Sequence, residues 1–350
     1  MAQKKKSQKQ KNSQKQAGIP PLVLVAAAIV VGLLTLFIFN RDSSGSNPNS
    51  SNETKEALKM SNANVDVPSA LSRSALVVDY SKSSIPLDQV LSGGPGKDGI
   101  PAITDPSFVQ LGDSDVADSV QVMVVENNGE TKIYPYNILV WHEIVNDKVG
   151  EKDLAITFCP LCGSAIVFER EIDGEVIDFG VSGFLYESNL LMYSREDSES
   201  IWSQSLGEAV IGARTGTELV HYPTQVITFA QAKEKFPNAT IMSINTGFSR
   251  NYDGGPYGGY SDAEDTFFPV SVKDKRFPAK EVFYIVPIEG NSIAVRQDKE
   301  DGTYDVPDTD IKVTFDKGLI EAKWGDAVLP GYFEMWFSWA THNQENGIVI

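Results

Sequence analysis

Residues 154–170 read Leu154-Ala155-Ile156-Thr157-Phe158-Cys159-Pro160-Leu161-Cys162-Gly163-Ser164-Ala165-Ile166-Val167-Phe168-Glu169-Arg170. Apolar, β-favouring residues stand on both sides of a Cys-Pro-x-Cys-Gly motif. The pattern predicts strand, tight turn, strand, with two thiols at the turn. Cys159 and Cys162 are the only cysteines in a chain of 350 residues. Two cysteines do not make a disulfide scaffold, so the pair points to metal or redox chemistry.

Working outward, Val120–Val125 and Thr131–Tyr134 flank Asn128-Gly129, a pair that suits the positive φ of a tight hairpin turn. Residues Pro135–Val145 follow with Ile138, His142 and Val145 on one helical face, which turns His142 inward. After the cysteine hairpin, Asp173-Gly174 predicts a turn that pairs Ile166–Glu171 with Val176–Gly180. Asn189–Tyr193 reads as a strand carrying Met192. Thr228 caps a helix that ends at Pro237. Tyr252–Tyr260 is a glycine- and tyrosine-rich loop. In the last third, Glu281–Val286 with Ser292–Val295, and Ile311–Phe315 with Leu319–Lys323, echo the earlier hairpins without cysteines. The fold class expected is therefore α+β and β-rich, with hairpin-built sheets, a few short helices and two similar lobes in one domain.

The N-terminal region differs. Residues 1–18 are a basic tail rich in Lys, Gln and Ser. Residues 19–39 are apolar and uncharged, matching the roughly 20 residues that cross a bilayer as helix. No small-x-small cleavage site follows, so they read as an uncleaved signal anchor. The lysines of the tail stay cytoplasmic, which puts the rest of the chain outside the cell membrane. Residues 40–65 read as a disordered polar tether, and residues 66–350 as the extracytoplasmic globular domain. The chain carries a formal net charge of −17; removing the six tail lysines from 30 bases leaves 24 against 47 acids, or −23. A surface that acidic excludes nucleic acid as a partner.

A zinc or copper centre needs more than two sulfurs. The chain has three histidines, and His142 leads into the cysteine hairpin, so it is the expected third ligand. Met192 is the expected soft fourth. Two thiolates, an imidazole and a thioether suit copper or zinc better than a hard cation. Against this stand the ordinary roles of both residues, a core histidine and a core methionine. Cys-x-x-Cys is also the spacing of thiol-disulfide oxidoreductases. Those set the first sulfur at a helix N-terminus, whereas Ala165–Phe168 favour strand. A structural pair in a non-catalytic surface-binding domain is the third reading, weakened by the small entropic gain of closing so short a loop. Of the five tryptophans, Trp141, Trp202, Trp324, Trp336 and Trp339, most are expected to pack in the core, before a sugar- or peptide-binding cleft lined with the Tyr252–Tyr260 loop.

Several ordered motifs together resemble a prokaryotic family, domain of unknown function 3179. They are Asp98–Pro106, Tyr134-Pro135, Trp141–Asp147, Phe158–Gly163, Phe179–Gly183, Asn189–Tyr193 and Trp336–Ala340. The resemblance implies an extracytoplasmic or membrane-anchored domain centred on the Trp-His-Glu and Cys-Pro-x-Cys-Gly elements. It implies no activity, but it puts His142, Cys159, Cys162 and Met192 on shared motifs.

Overall fold

The computed structural model describes residues 48–260, 262–343 and 347–350. The basic tail, the apolar segment 19–39 and the first residues of the tether lie outside them. Among the described residues no helix is long and apolar enough to cross a membrane. Residues 51–350 form one unit.

That unit is β-rich with a few short helices, as the hairpin patterns predict. Its centre is a nine-stranded sheet. The order is Ile103–Thr104, Ile144–Val149, Lys152–Cys159, Ser164–Glu169, Tyr332–Met335, Val282–Ile288, Asn291–Arg296, Ile348–Val349, with His221–Tyr222 also paired to Ser164–Glu169. The two outermost strands have two residues each and pair in parallel. The cysteine hairpin sits mid-sheet, in register from Leu154 opposite Glu169 to Cys159 opposite Ser164.

Sequence explains that central place. Both faces of this hairpin are covered, so its strands are apolar at nearly every position instead of alternating. Ile144, Ala155, Ile166 and Phe168 face one core. Their neighbours Val145, Ile156 and Val167 face another, shared with Met123, Val125 and Tyr134. The first core is closed by a five-stranded sheet ordered Leu91–Ser92, Phe179–Tyr186, Asn189–Ser194, Ile201–Ser203, Glu208–Ile211. Both cysteines, Met192, Trp202, Trp336 and Trp339 lie in it. Of the tryptophans, Trp324 is exposed.

Four expectations need correction. The tether is not irregular throughout: Pro48–Ser61 is an α-helix. Asn62, just beyond it, donates to the carbonyl of Val78 and accepts from the amide of Tyr80, contacts too distant in sequence to read from composition. The helix read as Pro135–Val145 is Tyr136–His142, because the chain turns at Glu143 into the strand Ile144–Val149. Around Asp173-Gly174 only Glu171–Ile172 and Glu175–Val176 pair; Phe179–Tyr186 leaves for the five-stranded sheet. Finally, the echoing hairpins join different sheets. Val282–Ile288 and Asn291–Arg296 share the sheet of the cysteine hairpin, while Gln121–Asn127 with Glu130–Pro135, and Ile311–Asp316 with Leu319–Trp324, belong to two others. Alternation sets a hairpin's faces but not the sheet it joins.

Candidate functional site

The site is built on the turn Cys159–Ser164. The amide of Cys162 donates to the carbonyl of Cys159 at 3.1 Å, the closure of a tight turn in which Pro160 pre-sets φ. Gly163 follows at φ +57, and a Cβ there would come to 3.0 Å from Met335 Cγ. Met335 clamps the turn from below, its amide donating to the carbonyl of Cys162 at 2.8 Å.

The turn brings the two sulfurs face to face. Both cysteines are free and buried, with Sγ atoms 3.1 Å apart. Cys162 Sγ lies 3.2 Å from the carbonyl of Ser188 and accepts from Asn189 Nδ2 at 3.2 Å. Further bonds hold Asn189 in this orientation. Nδ2 also reaches Gln204 Oε1, and its Oδ1 accepts from the amide of Ser205. Gln204 in turn bonds Ser164 and Thr157 on the cysteine hairpin. A buried amide network thus ties the two sheets together beneath Cys162. Burial, then the neighbouring Cys159, push the Cys162 thiol well up, and Glu334 adds to that push.

Each sulfur has a buried carboxyl nearby. Glu143 ends the helix Tyr136–His142 at φ +58, its amide donating to Leu139 and its carbonyl accepting from Phe158, the residue before Cys159. Its side chain accepts from the Tyr257 hydroxyl at 2.7 Å. Burial raises its pKa to about 7. Glu143, Cys159 and Tyr257 border one small cavity of about 40 Å³. Glu334 accepts from Ser205 at 2.7 Å and Ser338 at 2.5 Å, and burial raises its pKa to about 7 as well.

A strap formed by the glycine- and tyrosine-rich loop covers the site. Tyr252 bonds His142 at 2.7 Å, Tyr257 bonds Glu143, and Tyr260 donates to the carbonyl of Leu161 within the cysteine turn at 2.6 Å. Trp141 Nε1 donates to Gly254 and Asn137 to the Tyr252 carbonyl, which seats the strap on the helix.

Of the four residues singled out from sequence, Cys159 and Cys162 meet directly. Met192 is fully buried in the same core, between Val181 and Trp202 on neighbouring strands. His142 points inward as expected, but into a different set of bonds. Nδ1 lies 2.8 Å from the carbonyl of Pro101, which can only accept, so Nδ1 carries the proton. Nε2 therefore accepts from Tyr252, whose own oxygen takes the Thr246 hydroxyl at 2.6 Å. Burial lowers the His142 pKa, which favours this neutral form. Among the described residues no group of three or more His, Cys, Asp and Glu side chains is arranged to hold one ion. Sequence reasoning passed over Glu143, Asn189, Gln204, Tyr257 and Glu334. Glu143 had a signal, since it completes the Trp-His-Glu element beside His142.

The family model for DUF3179, proteins of unknown function, matches residues 97–326. That span holds the cysteine turn, Glu143, Asn189 and the strap, and stops short of Glu334. No curated protein and no solved structure matches the chain.

Proposed function

The chain belongs to the DUF3179 family; that family carries no assigned activity, so function is read from the site, and we propose that Cys159 and Cys162 form a dithiol–disulfide redox centre in a membrane-tethered, extracytoplasmic domain. The observation that carries the reading is the 3.1 Å approach of two free thiols in a turn already closed by its own backbone bond. Oxidation removes two electrons and two protons and joins the sulfurs. The carboxylates of Glu143 and Glu334, which titrate about 7, are suited to take up those protons at neutral pH. The amide of Asn189 supports negative charge on Cys162 as its proton leaves.

Copper or zinc on the same sulfurs is the second reading, supported by their convergence. It asks for rearrangement. Zinc–thiolate bonds of about 2.3 Å at tetrahedral angles hold sulfurs roughly 3.8 Å apart, wider than the 3.1 Å here. Recruiting His142 Nε2 would break its bond with Tyr252.

Equilibration of the full chain in detergent with glutathione buffers, read by free-thiol count, tests the proposal beside elemental analysis of protein purified without oxygen. A reversible couple between about −270 and −120 mV, the range of catalytic pairs, is expected, and Cys159→Ser abolishes it. A potential below about −300 mV would make the pair structural. About one copper or zinc per chain, lost in Cys159→Ser, would favour the metal.

A further inference from the structure

The closed geometry bears on what can oxidise the pair. Cys159 is 2% exposed and Cys162 fully buried. Attack on another protein's disulfide needs that disulfide in line with the sulfur, and the strap occupies the approach, bonded to the helix, to Glu143 and to the turn itself. The space left beside Cys159 is the cavity of about 40 Å³, walled by Ile100, Glu143, Val181, Tyr257 and Phe268 among others. A water-sized occupant needs roughly 10–15 Å³, so about three or four fit. Its lining side chains are apolar apart from Cys159 and the hydrogen-bonded pair Glu143 and Tyr257.

Building on the dithiol reading, we propose that the oxidant is a small peroxide of the size of hydrogen peroxide, admitted to Cys159 through this cavity, and that protein disulfides are excluded. The Cys159 sulfur attacks one peroxide oxygen. The O–O bond breaks, and the departing oxygen leaves as water with the thiol proton and its own. Cys159 becomes a sulfenic acid. The Cys162 sulfur, 3.1 Å away, then displaces the sulfenic oxygen, which leaves as a second water with the Cys162 proton. Two thiols and one peroxide give one disulfide and two waters. The polar wall suits such a molecule, since both ends of a peroxide can donate and accept.

The test mixes the reduced full chain in detergent with hydrogen peroxide, cumene hydroperoxide or oxidised thioredoxin, each at equal concentration, following disulfide formation by intact mass. Hydrogen peroxide is expected to react at least about tenfold faster than either larger oxidant, and Phe268→Ala, which widens the cavity, to narrow the gap between the two peroxides. Equal or faster oxidation by thioredoxin or cumene hydroperoxide in the wild type overturns the proposal, whether or not Phe268→Ala folds. So does a peroxide rate no higher than that of the urea-unfolded chain. A parallel equilibration with oxidised dithiothreitol separates the two levels of the argument. A disulfide formed there with slow peroxide oxidation removes this inference alone; no disulfide under either condition removes the redox centre with it.

Discussion

The Tyr257 hydroxyl donates to Glu143 Oε1 across 2.7 Å, joining residues 114 positions apart. One end of that bond is in the covering strap and the other is at the junction between the helix Tyr136–His142 and the strand Ile144–Val149. It forms part of the wall of the cavity beside Cys159 and fixes the carboxyl that borders it.

Stability should depend on pH through Glu143 and Glu334. Both have folded values of about 7, raised by burial from 4.5. A raised acid is bound to its proton more tightly in the native state. Its contribution is fully present below pH 4.5 and is lost as pH rises through about 7. The loss is on the order of 3 kcal/mol for each group. Thermal melts across pH 5–8 should show wild type falling more steeply than Glu143→Gln. Parallel curves would contradict the burial of this carboxyl.

Replacing Asn189 should be costly. Asn189→Leu removes the donor to Cys162 and strands the Ser205 amide, while Gln204 Oε1 keeps only its bond from Ser164. An unsatisfied buried group costs about 1–3 kcal/mol, so a loss of about 1–3 kcal/mol is expected in urea unfolding. A loss under about 0.5 kcal/mol, the level of an ordinary surface change, would show the network to be dispensable.

Two glycines of similar conformation should respond differently. Gly163 and Gly174 both have positive φ. An added Cβ meets Met335 at Gly163 and open space at Gly174. Gly174→Ala should cost only the backbone term of about 1–2 kcal/mol. Gly163→Ala should cost more by the displacement of Met335, and should alter the reduction potential of the pair. Equal unfolding energies for the two variants would mean that Met335 yields freely.

Tyr252→Phe should loosen the strap. The hydroxyl both accepts from Thr246 and donates to His142, and its loss should destabilise the fold by about 1–2 kcal/mol. Labelling of the cysteines by a small maleimide should accelerate in the variant under native conditions. An unchanged labelling rate would show that access to the sulfurs does not run through the strap.

What sequence could disclose here was local. Asn128-Gly129 marks its hairpin, Gln121–Asn127 with Glu130–Pro135. Thr228 caps its helix with Gln231 in a reciprocal pair of bonds. The cysteine turn follows from its flanks. The partners of the sulfurs were out of reach because they come from distant segments. Asn189 looks like the polar start of an apolar strand, and nothing near it names Cys162. Tyr252, Tyr257 and Tyr260 look alike in a flexible-looking loop, yet each bonds a different element of the site. His142 was legible as inward-facing, but its bonding to Pro101 and Tyr252 depends on two loops whose placement no periodicity encodes.

The nine-stranded sheet ends in Ile103–Thr104 at one side and Ile348–Val349 at the other. A two-residue border presents too few free amides and carbonyls to template an incoming strand. Copies of this chain crowded side by side are thus guarded against edge-to-edge aggregation, although the sheet between those borders is long, apolar and otherwise well suited to it.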